Sequence, residues 1–407
     1  MMTKRQIVVL AAVLGIAILV SSCADSPPAW PTVSLQPTAT AAPTLPEPAT
    51  PLVVDPLVPT VPANVAATAV ITATTLPQTD ESATPTSTPA TSGGETMEPS
   101  DLRSRLGVGV PLEVTQFTFD AEQATMLGLG WYLDWHVDPD PVEGVEFAQM
   151  VRVRGDHYFP ERADIIAAIA ANPGSLWLIG NEPDVLWQDN TTPEQYAARY
   201  HELHTLIKTL DPSAQVAIGG VTQVTPLRLQ YIEDVLAAYQ TLTGTAMPVD
   251  VWNIHAFILR EERDSWGVSI PPGFDVDQGI LWEIEDHDNL DLFKQQIVDF
   301  RRWMERHGQR DKPLIVSEYG ILMPPEYGFS AETVTEFMRA TFDYLLNERD
   351  EEIGYPNDDN RLVQKLSWYS LSDTNYPTGN LLDPVTGQLT EVGQAFADYA
   401  ASLDATQ

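Results

Sequence analysis

The sequence predicts an α/β fold, a (β/α)8 barrel, and three observations lead there. From Asp101 onward, short apolar runs alternate with amphipathic segments, the pattern of strands and covering helices. Eight such runs occur, and two of them end in a glutamate. The 307 residues after Ser100 suit one large barrel.

The chain does not begin with that pattern. Residues 1–23 read as a lipoprotein export signal. Lys4 and Arg5 open it, and Ile7 to Val20 gives 14 mostly apolar residues, short for a membrane span. Val20-Ser21-Ser22-Cys23 follows, small residues before a cysteine, and resembles a bacterial lipoprotein signal. That resemblance implies a lipid on Cys23 and a chain tethered to the outer face of the cell membrane. Cys23 is the only cysteine, so no internal disulfide can form.

Residues 24–100 hold fifteen of the 33 prolines, no Lys or Arg, and few aromatics. Such a Pro/Thr/Ala-rich segment cannot bury enough apolar surface to offset its ordering entropy. We expect a disordered, semi-extended spacer ahead of a catalytic domain at 101–407.

The predicted strands are Leu106–Val110, Trp131–His136, Glu146–Val153, Leu176–Gly180, Gln215–Gly219, Val249–His255, Leu314–Glu318 and Val363–Tyr369. Helices are expected to start near Ala121, Glu161, Thr192, Pro226, Asn289, Ser330 and Thr390. Thr192-Pro193-Glu194 supplies a hydroxyl cap and a proline at the first helical position. Tyr196, Tyr200, Leu203 and Ile207 then share one helical face.

Two links depart from the regular repeat. Asp138-Pro139-Asp140-Pro141-Val142-Glu143-Gly144 is too short and too proline-rich for a helix, so the helix between the second and third strands should be missing or reduced. The link from Phe257 to about Asp288 is long and holds Trp266 and Trp282. Its length and aromatics predict an ordered flap beside the barrel mouth.

The fourth predicted strand runs straight into Asn181-Glu182-Pro183-Asp184, and the seventh closes on Ser317-Glu318 ahead of Tyr319-Gly320. Side chains two apart point the same way along a strand. Leu178, Gly180 and Glu182 therefore share one face, and Leu314, Val316 and Glu318 another. If both faces look inward, two glutamates 136 residues apart in sequence meet at the C-terminal mouth. Two such carboxyls are what glycoside cleavage needs: one protonated for the leaving oxygen, one ionised to attack the anomeric carbon. The charge of Glu318 should raise the pKa of Glu182 and so sort the roles. Asn181 is placed to hydrogen-bond a sugar hydroxyl.

These residues resemble clan A retaining glycoside hydrolases, which are (β/α)8 barrels. The nearer likeness is to glycosyl hydrolase catalytic-core proteins related to family 128 endo-β-1,3-glucanases. It is carried by Trp131-Tyr132-Leu133-Asp134-Trp135, Asn181-Glu182-Pro183-Asp184 and Asn253-Ile254-His255-Ala256-Phe257, within roughly Arg105 to Leu403. The resemblance implies that Glu182 is the acid/base and Glu318 the nucleophile. It further implies that Trp368 floors a sugar subsite, and His255, at the end of the sixth strand, is placed to hydrogen-bond Glu318 or the substrate. Many clan members carry a tyrosine where Phe257 stands, with its hydroxyl on the nucleophile, so Tyr319 is the candidate replacement. Arg152 or Arg154 is placed to hold the nucleophile ionised, with Arg154 in the candidate set. Trp135 and Trp187 are candidate subsite walls.

The net charge of -35 disfavours nucleic acid and polyanionic glycans as partners. A neutral polysaccharide fits, with the membrane reached only through the lipid at Cys23. No zinc spacing, phosphate loop or serine elbow occurs, and Asp138, Asp140 and Glu143 are too irregular for a calcium loop. We expect a monomeric hydrolase without metal or cofactor. Two alternatives stand beside it: a barrel that binds glycans without cleaving them, in adhesion or wall organisation, and a transglycosylase using the same two glutamates.

Overall fold

A computed structural model describes residues 102–111 and 117–405. The predicted export signal, Cys23 and the linker lie outside the described residues. Among the described residues, no helix is long and apolar enough to cross a membrane.

The strands are β1 (Leu106–Gly109), β2 (Trp131–Leu133), β3 (Glu146–Phe147), β4 (Gln149–Arg154), β5 (His157–Phe159), β6 (Leu176–Ile179), β7 (Gln215–Ile218), β8 (Trp252–His255), β9 (Leu314–Tyr319) and β10 (Lys365–Trp368). One parallel sheet runs β3-β2-β1-β10-β9-β8. A second runs β4-β6-β7 in parallel, with β5 antiparallel on its edge. Parallel bridges Ala217↔Val251 and Val221↔Ile254 join β7 to β8. On the other side only Ala148 separates β3 from β4, so the two sheets close into one ring of eight strand positions. This is the (β/α)8 barrel that the sequence predicts.

The helices are α1 (Ala121–Leu127), α2 (Arg162–Ala171), α3 (Pro193–Leu210), α4 (Pro226–Thr243), α5 (Leu290–Arg306), α6 (Ala331–Asn347) and α7 (Glu391–Ala405). Their starts are legible as caps. Thr192 caps α3 in a reciprocal box with Gln195, with Pro193 behind it. Thr225, Asn289 and Ser330 cap α4, α5 and α6. Each cap satisfies end-of-helix amides and contributes about 1 kcal/mol.

Two apolar layers follow from strand alternation. Trp131, Leu133, Met150, Leu176, Leu178, Ala217, Val251 and Ile315 form a small core inside the barrel. Trp177, Ile179, Trp252, Ile254, Leu314, Val316, Leu366 and Trp368 join a larger core shared with helix residues such as Tyr196, Phe293 and Phe342.

The link between β2 and β3 has no helix. It is held by polar bonds instead: Asp138 N–H donates to Gln149 Oε1 (2.8 Å), Gln149 Nε2 donates to the Asp138 carbonyl (2.7 Å), and Val142 N–H donates to the Tyr132 hydroxyl (2.9 Å). The third predicted strand is broken at Ala148, because its first half pairs β2 and its second half pairs β6. The β5 hairpin strand was not predicted; its three residues are mostly exposed and carry no apolar period.

The long link after β8 is ordered. An antiparallel bridge joins Glu262 to Gln278, and a single 3-10 turn spans Ile284–Asp286. Arg228 of α4 pins it. Its guanidinium bonds Glu261 (2.9 Å), Asp184 (2.5 Å) and the Ser269 carbonyl (2.9 Å), and all three charged side chains are fully buried. His287 adds a second tie, donating from Nδ1 to the Ile258 carbonyl while Nε2 accepts the Leu322 N–H, both at 2.9 Å.

Candidate active site

The site lies where β6, β8 and β9 end. After β6 the chain turns sharply, and Glu182 sits at φ +44°, in the left-handed region. Such a backbone costs on the order of 1–3 kcal/mol in a non-glycine residue and persists only where its surroundings hold it. They do so here. Asp189 is buried and accepts the Asn181 and Val153 N–H groups, both at 2.8 Å. Arg152 pairs with Asp189 at 2.7 Å, and Glu182 N–H donates to the Gly220 carbonyl at 3.1 Å.

Glu318 reaches the same mouth by a different route. Leu314 and Val316 face the helices, not the barrel interior, so the alternation that would group Glu318 with them is overturned. The pairing explains the outcome. Ile254 pairs with Val316, but His255 pairs with Glu318, leaving Ser317 as an extra residue in β9. The same surplus appears against β10, where Leu366 pairs with Val316 and Trp368 with Tyr319. This bulge turns Glu318 inward.

Between the two glutamates stands His255, with no exposed surface. Its Nδ1 is 2.9 Å from Glu182 Oε1, and its Nε2 is 3.4 Å from Glu318 Oε1. One oxygen of each glutamate and one ring nitrogen all lie within 4.8 Å of one another. Gly220 makes room for the ring, since a Cβ there would sit 2.4 Å from the imidazole. The Trp135 indole N–H donates to Glu318 Oε1 at 2.6 Å. Gly109 admits that indole, which a Cβ would approach to 2.9 Å. Asn181 Oδ1 is buried beside Glu182 in sequence and has no partner within the protein.

The protonation pattern is the reverse of the sequence expectation. Burial and the charge of Glu182 push Glu318 up to about 7, against the opposing pull of His255, Trp135 and Arg152. Burial also acts upward on Glu182, but the bond and charge of His255, helped by Thr222 and Arg228, hold it below the ordinary value. Burial acts downward on His255, and the charges of Glu318 and Glu182 with the Glu182 hydrogen bond outweigh it, leaving it raised.

The spacing of Glu182, His255 and Glu318 would by itself admit a divalent cation. Yet His255 Nδ1 already engages Glu182 and the Trp135 indole already engages Glu318. A cation bound through Nδ1 would displace the Glu182 contact, whereas Nε2 carries no hydrogen bond and the Glu318 carboxylate keeps acceptor sites free beside the indole.

Of the sequence candidates, Glu182, Glu318, Asn181, His255 and Trp135 gather here. Three do not. Trp368 is fully buried on the helix side, edge-on to Tyr319 and Phe342, with its N–H on the Gly379 carbonyl. It cannot floor a sugar site. Tyr319 packs against Phe293 and Trp368 in that same outer core and does not replace the missing tyrosine hydroxyl. Arg154 is 58% exposed and only 3.9 Å from Asp189, whereas Arg152 is the arginine whose charge reaches Glu318. Trp187, 48% exposed, is positioned on the surface after the Asn-Glu-Pro-Asp turn.

The residue that sequence reasoning missed is Tyr369. Its ring is edge-on to Trp135 (5.8 Å) and Phe257 (6.2 Å), and its hydroxyl donates to Asp373 Oδ2 at 2.5 Å. Trp368 and Tyr369 are neighbours, so the outward turn of one sends the other to the mouth. The buried pair of Asp184 and Arg228 was missed as well. The acid was visible in Asn-Glu-Pro-Asp, but nothing in the sequence pointed to its partner.

No family profile and no curated protein matches the chain. Solved structures do. An endo-β-1,3-glucanase of glycoside hydrolase family 128, subgroup II, from Sorangium cellulosum is 18% identical, with a TM-score of 0.47 over 72% of this chain and 97% of that one. Its counterpart from Pseudomonas viridiflava is 20% identical, with a TM-score of 0.48 over 72% and 96%. A curdlan-specific exo-β-1,3-glucanase of subgroup III from Blastomyces gilchristii is 18% identical, with a TM-score of 0.48 over 74% and 99%.

Proposed function

We propose that the chain is a retaining glycoside hydrolase that cleaves a neutral β-linked glucan, with Glu182 as acid/base and Glu318 as nucleophile. The observation that carries this is the pair of glutamates at the barrel mouth, one oxygen of each within 4.8 Å of the other. Retaining enzymes hold their carboxyls about 5–5.5 Å apart, whereas inverting enzymes need about 6.5–9.5 Å to admit a water.

The neighbours suit the two roles. The Trp135 indole can only donate, so it stabilises Glu318 as an anion and fixes its direction. Arg152 adds positive charge from β4. Glu182 protonates the leaving oxygen while Glu318 attacks, and Glu182 then takes a proton from the water that releases the sugar. Asn181 Oδ1 offers a free acceptor for a sugar hydroxyl, and Tyr369 gives an aromatic wall beside Trp135.

A β-1,3-glucan is the first substrate to try, on the residue-level likeness of the second, fourth and sixth strands. We further propose that a lipid on Cys23 tethers the enzyme to the outer membrane face, with residues 24–100 as spacer.

The test is hydrolysis of a panel of neutral β-glucans by the full chain, with Glu182→Gln and Glu318→Gln as controls. Turnover lost in both variants, with anomeric configuration retained in the product, supports the reading. Activity that survives excess chelator removes any need for a cation. Glycan binding without turnover, unchanged in the variants, would replace the hydrolase with a binding barrel. Longer oligosaccharides formed at the expense of hydrolysis would make the chain a transglycosylase.

A further inference from the structure

His255 has two faces and each faces a different glutamate. We propose that His255 is a proton relay, delivering the single mobile proton of the site from the Glu318 side to Glu182 when a sugar enters. This rests on the hydrolase reading above.

The geometry comes first. Nδ1 is hydrogen-bonded to Glu182 Oε1 at 2.9 Å, and Nε2 has no hydrogen bond but lies 3.4 Å from Glu318 Oε1, a gap that a small shift on substrate entry closes. The ring is wholly buried, so bulk water does not compete for either nitrogen. An imidazole can accept a proton on one nitrogen and release one from the other without moving its charge far.

The step balances. The Glu318 O–H bond breaks as an Nε2–H bond forms. The Nδ1–H bond breaks as an O–H bond forms on Glu182. Imidazolium between two carboxylates is the midpoint, and the net charge of the three groups does not change. The step starts from the less productive arrangement, with Glu182 ionised and Glu318 holding its proton up to about 7. It ends with a protonated acid and an ionised nucleophile. A bound sugar favours that end, because its glycosidic oxygen accepts from Glu182 and its anomeric carbon attracts the Glu318 anion.

The groups acting on the trio divide. Arg152 from β4 and the Trp135 N–H after β2 favour this direction by lowering Glu318, and Arg228 from α4 opposes it by lowering Glu182. Asp184, from the β6 turn, raises His255. Tyr369, after β10, has its own hydroxyl pushed far up by burial and Asp373, so it stays neutral.

The test separates a relay from a merely structural histidine by the leaving group. His255→Asn and His255→Ala are compared with wild type on an unactivated β-glucan oligosaccharide and on a dinitrophenyl β-glucoside, whose leaving group departs unprotonated. A relay predicts a fall of about 100-fold or more in kcat/KM on the oligosaccharide, the scale of lost acid catalysis. On the activated glycoside the fall should be only a few-fold. Equal losses on both substrates, or no loss on either, overturn the relay while leaving the hydrolase intact. A wild-type chain inert on both overturns the hydrolase reading, and the relay with it. Should both variants fail to fold, 15N NMR of the wild-type imidazole decides. The proton on Nδ1 in the free enzyme should shift to Nε2 when an unreactive oligosaccharide binds, and an unchanged tautomer overturns the proposal.

Discussion

The indole N–H of Trp135 donates to Oε1 of Glu318 at 2.6 Å, across 183 residues of sequence. Removing that bond with Trp135→Phe leaves a buried carboxylate short of one donor. A hydrogen bond to a charged group contributes about 1.5–3 kcal/mol, so kcat should fall roughly 10- to 100-fold. The sign of the pH effect follows. The bond holds the Glu318 pKa down, so its loss raises that pKa. Glu318 must be ionised to attack, so the acid limb of the kcat/KM profile should move to higher pH. An unmoved limb would mean that the indole serves only as packing.

Arg228 should be the most costly single charge to remove. Arg228→Met strands Asp184 and Glu261 without their cation in a site with no solvent access. Breaking one side of a buried ion pair costs about 3–5 kcal/mol. Denaturant unfolding should show that loss, and limited proteolysis should begin in the link between Phe257 and Asp288.

His287 gives the fold an acid sensitivity that is independent of the glutamates. Burial pulls its pKa down to about 4, and its Nε2 must stay bare to accept the Leu322 N–H. In the unfolded chain an ordinary histidine takes a proton near 6.5. The stability tied to neutral His287 is therefore complete above about pH 6.5 and is lost progressively as pH falls toward 4. His287→Gln should be less stable at neutral pH and should flatten the stability profile between those two values. Chemical denaturation at half-unit pH steps would measure both.

Cys23→Ser should move the full chain from the membrane fraction to the soluble fraction, with turnover on a soluble oligosaccharide unchanged. A mutant that stays with the membrane would show that the apolar run from Ile7 to Val20 anchors the protein by itself.

Much of the barrel was legible because its signals are local. Caps at Thr192, Asn289 and Ser330 mark helix starts within a residue, and the two prolines after Asp138 foretold the missing helix. The two glutamates were legible as strand ends. What failed was facing. Trp368 and Tyr319 were assigned from the family resemblance, but Trp368 follows Leu366 by plain alternation onto the helix side, and Tyr319, next after the inward Glu318, points outward as well. The Trp135 contact and the place of His255 between two acids depend on distant strands meeting, which no local pattern encodes. The proton distribution was misjudged for the same reason. The expectation counted the repulsion between the two acids and omitted the imidazole bonded to only one of them.

The surplus Ser317 has a consequence for tolerance of length change. Excising it would restore plain alternation from Leu314 through Val316 to Glu318 opposite His255, with the carboxylate still turned inward. Most single deletions in a barrel strand flip everything downstream of them. Here the active-site strand already carries the slack of one residue. A lineage could lose that residue and keep its nucleophile, and only the length of the strand would record that it had ever been there.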